Sequence, residues 1–160
     1  MTATTDAEGG VHDFDFLFGR WTVTNRRLTQ RLADSDEWEE FSGAFHCEPR
    51  LGGIANVDEM AVLAKGFSGM ALRLFDVGQR EWSIYWIDSR DGRLQPPVTG
   101  RFRNGRGEFQ GNDVDEGRPV RVRFVWSDIT GDSARWEQAF STDGGRTWET
   151  NWIMEFTRVE

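Results

Sequence analysis

Val120-Arg121-Val122-Arg123-Phe124-Val125-Trp126 decides the fold. Val120, Val122, Phe124 and Trp126 fall on one face of an extended chain and the arginines on the other, a period of two. The same rhythm runs on both sides of this stretch. Upstream, Trp82, Ile84, Trp86 and Asp88 share a face. Downstream, Trp136, Gln138 and Phe140 do so, and then Trp148, Thr150, Trp152, Met154 and Phe156. Arg135, Glu137, Glu149 and Glu155 occupy the opposite faces. The pattern rejects helix for the bulk of the chain.

Working outward, strand-like runs cover residues 20–31, 38–48, 53–64, 69–76, 80–88, 98–104, 107–112, 118–128, 134–142 and 147–158. Turn signals separate them. Asn104-Gly105 is a two-residue hairpin signal, because both positions must take positive φ. Gly52-Gly53, Gly78-Gln79 and Gly144-Gly145 act similarly, and Pro96-Pro97 interrupts the link between the fifth and sixth runs. These runs predict an all-β protein, a single antiparallel up-and-down barrel of about ten strands. Closure removes the exposed edges of a meander, and a barrel of that size leaves room for a ligand. Residues 12–18, His-Asp-Phe-Asp-Phe-Leu-Phe, predict a short helical turn plugging one end. Residues 1–12 read as a disordered tail and residues 13–160 as one barrel domain.

Composition narrows the function. The 160 residues carry a net charge of −8, which disfavours nucleic acid and anionic lipid as partners. No apolar run approaches the ~20 residues of a membrane span, and the polar N-terminus lacks a secretory signal. Cys47 is the single cysteine, so no intrachain disulfide forms and a cytoplasmic location is expected. Lys65 is the lone lysine among 19 basic residues, a bias read as compositional. Eight tryptophans and twelve phenylalanines stand out. They fit either a filled β core or an aromatic-lined cavity.

Gly19-Arg20-Trp21, placed behind the aromatic turn, resembles the Gly-x-Trp opening of calycins, the group that includes lipocalins and fatty-acid-binding proteins. The resemblance implies that Trp21 packs across the closed end beneath a basic side chain from the last strand, a role that falls to Arg158. Leu74-Phe75-Asp76, residues 82–88, residues 136–141 and residues 143–152 are similar to a bacterial family of uncharacterised calycin-like domains. That similarity implies a fold and little function. Three departures matter. The signal peptide and disulfides of secreted lipocalins are missing, and residues 32–37 are too few for a helical lid. No histidine follows His46, as haem-binding barrels would require.

Several motifs are structural. Ser141-Thr-Asp143-Gly-Gly-Arg-Thr-Trp148 matches the Asp-box, in which Asp143 would brace a hairpin turn. The glycines at 105, 107 and 111 precede no helix and hold no phosphate. His46-Cys47-Glu48 places neighbours on opposite strand faces, so no metal site is expected, and no cofactor.

The leading expectation is a barrel that binds a small hydrophobic or aromatic molecule. Trp86, Trp136 and Trp152 would stack on it, and Met60, Leu72, Leu74 and Met154 would pack around it. Asp58, Asp88, Gln138 and His46 would supply polar contacts. Tryptophan faces would also suit a cation. His46 shares a face with Asn56 and Asp58 if the hairpin pairing sum is even, and with Val57 and Glu59 if it is odd. Asp88 either anchors a ligand or caps the turn at residues 89–92. The alternative is a cofactor-free isomerase or cyclase with His46 or Asp88 as the catalytic residues. A third reading is a protein-interaction module that exposes Trp38, with a homodimer as one form of it.

Overall fold

Alternating side chains and turn chemistry combine into ten strands: β1 (Gly19–Leu28), β2 (Trp38–Arg50), β3 (Ala55–Val62), β4 (Phe67–Asp76), β5 (Glu81–Asp88), β6 (Val98–Arg103), β7 (Arg106–Asp115), β8 (Arg118–Ser127), β9 (Ser133–Ser141) and β10 (Glu149–Arg158). The structure is a computed structural model and describes residues 9–159. Each strand pairs antiparallel with the next. β1 also pairs with β10, from Trp21↔Arg158 to Arg27↔Trp152, which closes the barrel. The β6–β7 turn has the expected chemistry, with φ of 54° at Asn104 and 78° at Gly105. In the β4–β5 turn the positive φ falls on Arg80, not on Gly78 or Gln79.

One end is shut by the chain before β1. A short 3-10 turn at Asp15–Leu17 buries Phe14 and Leu17 completely. Phe14 meets Trp82 and Phe102 edge to face at 5.0 and 4.9 Å. The Trp21 indole donates to the Leu17 carbonyl at 2.9 Å. Above it lies the Arg158 guanidinium, 4.1 Å from the Trp21 ring centroid. Arg158 also donates to the carbonyls of Phe16, Phe18 and Gly131 at 2.6, 2.8 and 2.8 Å. One side chain thereby ties the plug, the last strand and the β8–β9 loop together. Arg80 donates to the Gly9 carbonyl and the Trp82 indole to the Gly10 carbonyl, so residues 9–12 belong to this end. Residues 1–8 of the expected tail lie outside the described residues.

Register decides which side chains face in. A four-residue turn, with φ of 55° at Leu51, 69° at Gly52 and 105° at Gly53, joins β2 to β3. It sets His46 opposite Glu59 and Cys47 opposite Asp58, so the pairing sum is odd. Phe41, Phe45 and Cys47 point inward, while His46 points out and meets Glu48 at 3.1 Å. The expected polar contact between His46 and the interior is corrected accordingly. On β4 the inward residues are Ala71, Arg73 and Phe75, which turns Leu72 and Leu74 to the half-buried outer face. On β10 a register shift between Thr150 and Trp152 buries Asn151 and separates Trp148 and Thr150 from the inward face of Trp152, Met154 and Phe156.

Arg158→Met should destabilise the protein by roughly 2 kcal/mol in urea unfolding, because it removes three charge-assisted hydrogen bonds and a ring contact. A loss below about 0.5 kcal/mol would show that the plug does not depend on this arginine.

Candidate functional site

Six of the eight tryptophans face the interior: Trp21, Trp82, Trp86, Trp126, Trp136 and Trp152. Their rings do not fill it. A cavity of about 90 Å³ remains between the closed end and the far rim. Trp86, Trp136 and Trp152 form one wall, with Trp136 and Trp152 edge to face at 5.6 Å and Trp86 and Trp152 at 6.2 Å. Phe124, Met60 and Met154 are part of the remaining apolar lining, with Phe45, Ile84, Val122 and Phe156 among the others. The Trp86 ring packs on Gly69, where an added Cβ would come within 1.8 Å of it. That glycine lets the indole sit against the wall instead of across the space.

The floor is charged. Arg73 and Asp58, each 4% exposed, come within 2.5 Å between Nη2 and Oδ2. At that distance the opposite charges attract strongly. Arg73 Nη1 donates to Asn56 Oδ1 at 2.9 Å, and the Ala71 amide donates to Asp58 Oδ1 at 3.2 Å. The guanidinium lies 5.1 Å from the Phe14 ring and 6.0 Å from the Trp126 ring. Burial pushes the Asp58 carboxyl up from the usual range, and Arg73 draws it back down. The Arg73 guanidinium keeps its charge, and its closeness favours the ionised form of Asp58. Sequence reading missed Arg73. Its signal was the Ala71-x-Arg73-x-Phe75 alternation, masked by the two leucines on the other face.

The mouth opens where the sheet is thinnest. β5 pairs with β6 at only three positions, ending at Ile84↔Val98. Pro96 and Pro97 come just before β6 and have no N–H to extend the ladder. Beyond that point the wall is made by the connecting segment, through an Ile87↔Leu94 bridge and a bond from the Gln95 amide to the Trp86 carbonyl. Gln95, Pro96, Asn112 and Asp113 line the cavity here. Gly111 accommodates the Pro97 carbonyl, 2.4 Å from where a Cβ would stand.

The expected site residues divide. Asp58, Met60, Trp86, Trp136, Gln138, Trp152 and Met154 line the cavity. Gln138 donates to the buried Asn151 at 2.8 Å. His46, Asp88, Leu72 and Leu74 do not line it. Asp88 caps its turn instead, accepting from the Arg90 amide, Nε and Nη2 at 2.8, 2.9 and 2.6 Å. Those bonds hold its carboxyl below the usual range. Asp143 likewise braces its turn, accepting from the amides of Arg146 and Thr147 and the hydroxyls of Ser141 and Thr147. Its carboxyl is held far below the usual range by the bonds from Thr147, then Ser141. Cys47 is buried, and the loss of solvent pushes its thiol up to about 12, so it stays protonated. Trp38 is half-buried, with the Arg26 guanidinium 5.1 Å from its ring, and is not an exposed anchor. The cation face offered by Trp152 is occupied by the chain's own Arg27, at 5.0 Å.

These features define a calycin-like closed barrel with an aromatic interior. Among solved structures, that of an S-type phycobiliprotein lyase, CPES, from Guillardia theta matches with a TM-score of 0.59. The match covers 100% of this chain and 98% of that one at 11% sequence identity, a likeness of fold alone. No protein-family model matches the sequence, and comparison with curated proteins finds no match. The expected tie to one bacterial family finds no support among family models, and the barrel fold is what the comparison shares. Among the described residues no helix is long and apolar enough to cross a membrane.

Arg73→Met should cost about 3–5 kcal/mol, because it leaves the Asp58 carboxyl buried without its counter-ion. Arg73→Met combined with Asp58→Leu should cost far less, since a buried pair exchanged for apolar groups is often nearly neutral. Additive losses in urea unfolding would show that the two residues do not act as a pair.

Proposed function

We propose that this protein binds a small, largely apolar or aromatic molecule inside its barrel. One observation carries the reading: an aromatic and thioether wall surrounds a polar floor, and the space between them opens to solvent at a thin seam. Apolar walls with a few fixed polar groups are the usual make-up of small-molecule sites. The void of about 90 Å³ is smaller than the ~300–1,000 Å³ of drug-sized pockets. A ligand longer than the void therefore extends toward Gln95 and Asn112, or displaces Trp86 from its bed on Gly69.

The wall supports binding more than catalysis. The isomerase or cyclase alternative relied on His46 and Asp88, and neither reaches the cavity. The titratable pair that does reach its floor is engaged with itself. Interaction through exposed tryptophans has no support in the positions of Trp38 and Trp148, each of which lies beneath an arginine.

Toluene should produce a saturable change in intrinsic tryptophan fluorescence. Ala71→Leu, which extends a side chain into the cavity, should abolish that change with the fold intact by circular dichroism. Overpacking there should cost about 1–3 kcal/mol at most. A toluene response unaltered by Ala71→Leu, or no saturable response from the unmodified protein, would contradict binding in this cavity.

A further inference from the structure

Two buried donors among the residues that line the cavity have no acceptor. Arg73 Nε and Trp126 Nε1 are each removed from solvent and without a hydrogen-bond partner. Arg73 is 4% exposed and Trp126 2%. The two residues are neighbours, with the guanidinium 6.0 Å from the Trp126 ring. Buried donors are nearly always satisfied, and a pair of unsatisfied ones beside a void marks the place of a missing acceptor. A purely hydrocarbon ligand would leave both unpaired.

Charge narrows the acceptor. Asp58 already neutralises Arg73, so the floor as a whole carries little net charge. A carboxylate entering there would face the Asp58 carboxylate at the floor and Asp113 at the mouth, within a protein of net charge −8. A cation would meet Arg73 at the floor, and Arg27 already covers the Trp152 face. The walls admit an aromatic or aliphatic body.

Building on the binding function proposed above, we infer that the cavity selects ligands with a neutral hydrogen-bond-accepting head, a ketone, aldehyde, ester or lactone carbonyl, directed at Arg73 Nε and Trp126 Nε1. The head takes the two free donors, and the apolar body lies between Trp86, Trp136 and Phe124. The site thereby discriminates among molecules of equal size by their polar end. An ordinary hydrophobic pocket would rank them by apolar area alone.

Three one-ring probes of similar shape test this by calorimetric titration of the intact protein: acetophenone, ethylbenzene and benzoate. Acetophenone should bind about tenfold more tightly than ethylbenzene, the worth of two modest hydrogen bonds. It should also bind more tightly than benzoate. In ¹⁵N-tryptophan spectra the Trp126 indole proton should move downfield with acetophenone and not with ethylbenzene. Trp126→Phe assigns that resonance and should lower acetophenone affinity while sparing ethylbenzene. If the variant does not fold, the indole shift in the unmodified protein decides the matter. Equal affinity for acetophenone and ethylbenzene would overturn the acceptor preference while leaving cavity binding intact. Tightest binding by benzoate would make the floor an anion site and overturn it too. No binding of any probe would remove the cavity reading and this inference together.

Discussion

A sheet of ten strands closed by β1 against β10 encloses more space than an eight-stranded one, and that space must be filled or wetted. Everything inside the barrel answers to this constraint. The closed half is filled by the Phe14 and Leu17 plug and by Trp21, Trp82 and Trp126. The other half is built differently, with rings standing against the wall. Gly69 gives the Trp86 ring room to pack on β4, and Trp86 and Phe124 both line the residual space. Aromatic side chains suit both tasks, because they bury large areas and stay rigid.

The arginines complete the aromatic scheme. Their abundance looked like a compositional bias in the sequence, yet in the fold Arg26, Arg73, Arg123 and Arg158 lie over Trp38, Trp126, Trp148 and Trp21. Arg27 lies over Trp152 at the open rim, with Glu39 beside it. A planar, weakly hydrated guanidinium stacks on a ring and still donates hydrogen bonds at its edge. Arg158 shows both uses at once, against Trp21 and three carbonyls. Lysine, a compact and strongly hydrated charge, serves this role less well.

Most of the strand order was legible because period-two alternation and turn residues are local signals. Asn104 and Gly105 take positive φ in their turn, Arg158 lies over Trp21, and Asp143 accepts from the amides of its own turn. The errors share a physical origin. Placing His46 required knowing that four residues turn the β2–β3 hairpin, and one residue of register inverts a face. On β4 the leucines drew the eye, while the inward face carries an arginine whose cost is met by Asp58 and Asn56, on another strand. The bulge at Asn151 broke an alternation that seemed unbroken from Trp148 to Phe156. Buried ion pairs and bulges are decided by tertiary partners, which a single strand does not announce.

The proposed role of the cavity is to hold a small molecule. Native mass spectrometry of protein freshly isolated from its own host, under gentle and then denaturing conditions, tests this most directly. A small-molecule adduct should survive gentle ionisation and be released on unfolding, with Ala71→Leu protein isolated in the same way carrying none. Protein that is consistently empty across growth conditions, or an adduct retained by Ala71→Leu, would contradict it.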